Sequence, residues 1–248
     1  MHTFYNSRLF AIMRKRFSII IPVLHEAPGI NDLIGHLREL EAAETSELIV
    51  VDGSTAGDTL EAIADGDVCR LSSPPGRAKQ MNAGAAVAAG DILIFLHADT
   101  YLPAAALPMV DQVMQEAMYM GGAFDLAISS RRWIYRLIAA GASLRSRLTR
   151  IPYGDQAIFL RKNVFRRLGG YPEIPIMEDV AIMRRIRKSG GRIYIIPRCV
   201  VTSPRRWEQE GVFYGTLRNW FLLIAYHLGA SPEKLARYYK SGVKEHCM

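Results

Sequence analysis

Asp91-Ile92-Leu93-Ile94-Phe95-Leu96-His97-Ala98-Asp99-Thr100 is a continuous apolar run that stops on an imidazole and a carboxylate. A run of this length without polar alternation fits a strand buried on both faces, and such a strand belongs in the middle of a sheet. In open α/β sheets the ligand crevice lies outside the carboxyl ends of the strands, so His97 and Asp99 fall where chemistry is placed. Two residues apart on extended chain, they point to the same side. They make half of a divalent-metal site.

The stretches before this run share its pattern. Phe17-Ser18-Ile19-Ile20-Ile21-Pro22-Val23 is a β-branched strand closed by proline, and Ile30, Leu33, Ile34, Leu37 and Leu40 then recur at helical spacing. Glu47-Leu48-Ile49-Val50-Val51-Asp52 is a second buried strand, ending on the turn Asp52-Gly53-Ser54. The βαβ order implies a right-handed crossover and a parallel pair. A short helix over 59–64, a strand over 68–72 and an Ala-rich helix over 77–89 lead into the central strand. The fold class is therefore α/β, with a mostly parallel central sheet flanked by helices. His25 and Glu26, Asp52, and His97 with Asp99 then share one sheet edge, which suits a nucleotide and its metal.

After Pro103 the alternation changes. The pattern predicts a helix over 104–118, a strand over 121–128, and a basic amphipathic helix over 131–150. In that last helix Trp133, Leu137, Ala140, Leu144 and Leu148 share a face, surrounded by arginines with no acidic residue. A strand over 154–160 and a helix to 168 come next. Glu178-Asp179 opens a further helix that Gly190-Gly191 caps, with carboxylates suited to its positive end. A strand over 192–196 precedes Pro204-Arg205-Arg206-Trp207, read as a loop. The rest is helical, and Phe213, Leu217, Trp220, Phe221, Ile224 and Leu228 form a stripe expected to pack in the core or in a homodimer.

With 248 residues and no low-complexity linker, the chain reads as an N-terminal arm (1–16), one domain (17–210) and a helical extension packed on it (211–248). Within the domain, 17–100 is the nucleotide-binding half and 101–210 the acceptor half. The net charge of +7 calls for an anionic partner. Acids at successive strand ends argue against nucleic acid. Cys69, Cys199 and Cys247 lack the spacing of a disulfide framework or a zinc site, which suits a reducing cytosol. No run reaches the roughly 20 apolar residues of a membrane span, since Arg218 and Asn219 interrupt 212–228. The basic helix and the apolar stripe offer peripheral contact with an anionic surface at the inner face of a membrane. The turn after the first strand has one glycine, not GxGxxG, and there is no P-loop.

Taken in order, Ile20-Ile21-Pro22 with Glu26, Val50-Val51-Asp52-Gly53-Ser54, Gly76-Arg77 to Asn82-Ala83-Gly84, His97-Ala98-Asp99, Glu178-Asp179 and Arg205-Arg206-Trp207 resemble the family 2 glycosyltransferases of the GT-A fold. The resemblance covers residues 17 to about 210. It implies inverting transfer from a nucleotide-diphospho-sugar, with UDP the first choice, to a hydroxyl acceptor on a glycan or lipid, using Mn or Mg. Asp179 matches the family's base. Asp99 matches the last acid of its DxD metal motif, and His97 stands where the family usually has Asp. Pro22, Glu26, Asp52, Arg77, Gln80, Ala98, Arg205 and Arg206 fall on the donor side, with Asn82 facing the same crevice, and Asp155, Glu178 and Trp207 on the acceptor side. Ser203 departs from the family's Q/RxxRW element, which has Gln or Arg three residues before Arg206. A nucleotide-sugar-binding protein with weak catalysis is the rival reading.

Overall fold

The computed structural model describes residues 15–240, arranged around an eight-stranded sheet. Its strands are β1 (Phe17–Val23), β2 (Ser46–Asp52), β3 (Cys69–Ser72), β4 (Ile92–Phe95), β5 (Thr100–Tyr101), β6 (Tyr119–Ile128), β7 (Phe159–Arg161) and β8 (Arg192–Thr202). They lie in the order β3-β2-β1-β4-β7-β6-β8-β5. β3, β2, β1 and β4 are parallel neighbours, β7 runs antiparallel between β4 and β6, and β8 runs parallel to β6. The helices are α1 (Ile30–Arg38), α2 (Asp58–Ala62), α3 (Arg77–Val87), α4 (Ala106–Gln115), α5 (Trp133–Thr149), α6 (Lys162–Arg167), α7 (Glu178–Lys188), α8 (Arg205–Glu210), α9 (Val212–His227) and α10 (Pro232–Lys240). Part of the 1–16 arm lies outside the described residues, as do Cys247 and the end of the extension.

Strand periodicity sorts the core into two layers. Ile19, Ile21, Val50 and Ile94 meet α1 and α4 on one face, while Ile20, Ile49, Val51, Leu93 and Phe95 meet α3 and α7 on the other. The residues of β4 are almost fully enclosed, as its unbroken apolar run requires. Each such side chain contributes about 1.5–3 kcal/mol. A Cβ at Gly84 would lie 2.5 Å from Ile20 Cγ2, so glycine lets α3 rest on β1 and brings Arg77 to the strand ends.

Four expectations need correction. Residues 154–156 form a 3-10 turn, not the start of a strand, because Tyr153 N donates to Gln156 Oε1 and Gln156 Nε2 donates to Phe124 O. β8 continues beyond Ile196 to Thr202 through an irregularity opposite Phe124 and Asp125. Arg205-Arg206-Trp207 opens α8, where Ser203 Oγ accepts from Arg205 N.

The fourth correction concerns α9, whose geometry α5 shares. Trp133, Leu137, Leu144 and Leu148 of α5 point outward, because the face of Tyr135, Ala139, Ser143 and Ser146 is the one turned inward. Ser143 Oγ accepts from Leu126 N, which fixes that face inward. On α9 the stripe expected in the core or in a homodimer is likewise exposed, so it does not pack in this chain's core, and Gly215, Arg218 and Leu222 face inward. Arg218 Nη2 meets Glu210 Oε2 at 2.6 Å with both side chains 5% exposed. No helix among the described residues is long and apolar enough to cross a membrane.

Candidate active site

Beyond the carboxyl end of β4, a cavity of about 130 Å³ gathers side chains from distant parts of the chain. His97 and Asp99 come from the loop after β4, Arg77 from the start of α3, and Glu178 and Asp179 from the first turn of α7. Asp155 comes from the 3-10 turn, and Arg206 with Trp207 from α8. Helices α9 and α10 close the cavity with Asn219, Leu222 and Tyr239.

Met177 has φ +67°, a left-handed conformation costly for a side chain of its size, and it turns the chain into α7 at the two carboxylates. Asp179 Oδ2 accepts from Gly154 N at 2.8 Å, while its Oδ1 accepts from Val180 N at 2.7 Å. A Cβ on Gly154 would lie 2.8 Å from His97 Nε2 and 3.8 Å from Asp179 Oδ2. Glycine there allows imidazole, turn and carboxylate to converge.

The charges balance unevenly. Glu178 is 4% exposed and 3.5 Å from Arg77 Nη1. Burial pushes its carboxyl up, against the pull of Arg77. Asp155 Oδ1 is shut from solvent with no hydrogen-bond partner. Burial, reinforced by Asp179 and Asp99 and opposed by Arg206 and Arg145, raises Asp155 to about 6. His97 is held well below the usual imidazole range, first by burial and then by Arg77 and Arg206. It is therefore neutral at pH 7.

A neutral imidazole and an aspartate are acceptable metal donors, but the described residues contain no group of three or more His, Cys, Asp or Glu side chains arranged to hold a metal ion. Two protein ligands suit a cation that takes its remaining oxygens from a bound diphosphate. His97 and Asp99 fit that kind of site.

The expected donor side divides. Pro22, Glu26, Asp52, Gln80, Ala98 and Arg205 lie outside the cavity lining. Asp52 is fully buried, its Oδ1 accepting from Ser54 N at 2.7 Å and its Oδ2 left without a partner. Gln80 is not free to bind a donor through its amide nitrogen. Nε2 donates to Val23 O at 2.7 Å and to Val51 O at 2.8 Å, strapping β1 to β2. Asn82 is similarly committed, pairing with both Tyr171 N and Tyr171 O. The two arginines are also divided. Arg205 pairs with Glu26 through 2.6 and 3.2 Å contacts, and only Arg206 lines the cavity.

Sequence reasoning missed Tyr153, Asn219 and Tyr239. Arg145 lies 3.5 Å from the centre of the Tyr153 ring, and Arg206 lies over the Tyr239 ring at 5.9 Å. The signal for Asn219 was present: a polar Arg218-Asn219 pair within an apolar helix marks the face turned toward other polar groups.

Residues 18–171 match the family model described as Glycosyl transferase family 2. No curated protein matches the chain. Among solved structures, S. aureus TarS 1-349 in complex with UDP superposes with a TM-score of 0.61 at 17% identity, covering 76% of this chain and 60% of that one. The mannosyltransferase PcManGT from Pyrobaculum calidifontis, in complex with GDP-Man and Mn2+, gives 0.60 at 23% identity and covers 87% and 62%. TarS 1-349 with UDP-GlcNAc gives 0.59 at 17% identity, covering 76% and 58%. The chain thus spans about 60% of the length of these structures, and the likeness is one of fold.

Proposed function

The chain belongs to glycosyl transferase family 2 and has the GT-A fold, and on that premise we propose that it transfers a sugar from a nucleoside-diphospho-sugar to a hydroxyl acceptor with inversion at the anomeric carbon. The observation that carries the proposal is the convergence of Asp179, Asp155, Asp99, His97, Arg77 and Arg206 on one cavity at the carboxyl end of β4.

In this reading Asp179 takes the acceptor hydroxyl's proton as the new oxygen–carbon bond forms and the bond from the anomeric carbon to the diphosphate breaks. The departing oxygen keeps the bonding electron pair. Gly154 N and Val180 N orient the base. Arg206 faces the charge that develops on the diphosphate, with Arg77 beside it. His97 and Asp99 would hold a divalent cation, Mn or Mg, which when bound supplies neutralising charge at the diphosphate. Asp52, whose Oδ2 is buried without a partner, would meet the nucleobase once the adjoining Gly53-Ser54 turn moves aside, with Pro22 and Glu26 on the ribose side and Ala98 on the donor side. Uridine is the preferred base, in keeping with the UDP bound by TarS, and guanosine follows from PcManGT. Glu178 and Trp207 would flank the acceptor.

The test is nucleoside-diphosphate release from UDP-glucose, UDP-GlcNAc and GDP-mannose with Mn, comparing wild type with Asp179→Asn. Slow release from one donor, abolished in the variant, supports the reading. Donor binding without any release, even with added alcohols or glycans, would favour a binding protein instead.

A further inference from the structure

Helices α5 and α9 turn Tyr135, Ala139, Ser143 and Ser146 and Gly215, Arg218 and Leu222 inward, while Trp133 (71% exposed), Leu148 (75%), Phe213 (76%) and Leu217 (70%) face out. Large apolar side chains gathered on a surface mark a place where another apolar body sits. Between the two helices runs a groove of about 390 Å³, lined by Ile134, Leu137, Ile138, Gly141, Leu217 and Trp220. A Cβ added at Gly141 would meet nothing within 4 Å, so the groove is open there.

The groove does not end blindly. Tyr153, Asp155, Trp207 and Asn219 line both it and the catalytic cavity. Its inner end therefore opens on the site's carboxylates, with Asp155 in the lining of both, and its outer end merges with the exposed apolar face. On and beside α5, Arg131, Arg132, Arg136 and Arg150 are exposed, and no acidic residue occurs between 126 and 154. A cationic helix that also bears exposed apolar side chains suits an anionic bilayer surface.

We propose that the acceptor is a long-chain lipid alcohol, its hydrocarbon chain lying in the α5–α9 groove and its hydroxyl reaching Asp155 and Asp179. This rests on the transferase reading and adds the acceptor class. A hydroxyl head follows from the two carboxylates: it can donate a hydrogen bond and yield its proton to Asp179, whereas a carboxylate head adds a negative charge beside Asp155 and Asp179, and the nearby Arg145 and Arg206 are already engaged by Asp155 and by the rings of Tyr153 and Tyr239.

The experiment uses the full chain and 12-bromododecan-1-ol, whose bromine quenches tryptophan fluorescence on contact. Trp207 and Trp220 lie along the groove. The alcohol should quench saturably, with 3-bromopropan-1-ol and 12-bromododecanoate each at least tenfold weaker. Gly141→Leu, which fills the groove, should raise the half-saturating concentration at least tenfold. Leu228→Ser, on the exposed face away from the groove lining, should change it less than twofold.

Equal quenching of wild type and Gly141→Leu would overturn the proposal. So would equal losses in the Gly141 and Leu228 variants, which would indicate a diffuse adhesive face. Bromododecanoate binding as well as the alcohol would overturn the hydroxyl assignment. UDP and GDP binding with Mn is measured in parallel. If it is intact while groove binding fails, the acceptor proposal alone falls; if it is absent while groove-selective quenching persists, the transferase reading falls instead.

Discussion

Replacing Asp179 with Asn separates chemistry from architecture. In the native protein the two carboxylate oxygens accept backbone N–H bonds of 2.8 Å from Gly154 and 2.7 Å from Val180. Asparagine keeps one acceptor oxygen and presents an N–H₂ group to the other donor, so one bond is lost and its donor left facing a donor. That costs about 1–3 kcal/mol. For a chain of this length the melting temperature should fall by about 2–12 °C, at roughly 2–4 °C per kcal/mol. Loss of a general base should lower kcat by about 10²–10⁴, or roughly 3–5 kcal/mol of barrier. Assayed at 20 °C, well below the melting transition, the variant should bind nucleoside diphosphate within threefold of wild type. The reasoning is refuted if kcat falls less than tenfold, which would place the base elsewhere, or if donor affinity falls as far as kcat.

Asp155→Asn tests the orphaned carboxylate by pH. Burial raises this group to about 6, so between the unfolded value of 3.8 and about 6 the folded protein holds a proton the unfolded chain has lost. Its ionisation therefore weakens the fold as pH rises through that window. The variant should gain more in melting temperature over wild type at pH 7.5 than at pH 4.5, and an equal gain at both would contradict this. Glu210→Ala strands the buried Arg218 guanidinium and should cost about 3–5 kcal/mol in urea unfolding, while Glu210→Leu with Arg218→Leu recovers most of it. A loss below 1 kcal/mol would show that solvent reaches the pair. Gln80→Leu removes the strap to Val23 and Val51 and should lower the melting temperature while leaving nucleotide affinity within threefold; a selective loss of affinity would restore Gln80 to the donor side.

The sheet edge was legible because β4 is a central strand, and complete burial leaves a continuous apolar run in the sequence. The same logic found β1, β2 and the residues at their ends. Helical periodicity was legible in α5 and α9, but a stripe tells only which residues share a face. Which face turns inward is set by tertiary contacts, here those of Tyr135, Ala139, Ser143 and Ser146 on α5 and the Glu210 partner of Arg218 on α9. The end of β8 was hidden by Pro197-Arg198-Cys199, where the bulge breaks alternation. In the cavity, Asp99, Asp179 and Arg206 followed from the family resemblance, and the structure brings them together. Tyr153 and Tyr239 enter through tertiary packing that no local pattern encodes, and Arg205 was drawn away by Glu26.

The most direct measurement is calorimetric titration of Mn into the protein alone, UDP or GDP alone, and Mn with each nucleotide, on wild type and Asp99→Ala. If His97 and Asp99 are the protein ligands, the account predicts weak binding of metal alone, tight binding of one nucleotide only when Mn is present, and loss of that dependence in the variant. No binding of either nucleotide under any condition, or Mn dependence unchanged in Asp99→Ala, would contradict it.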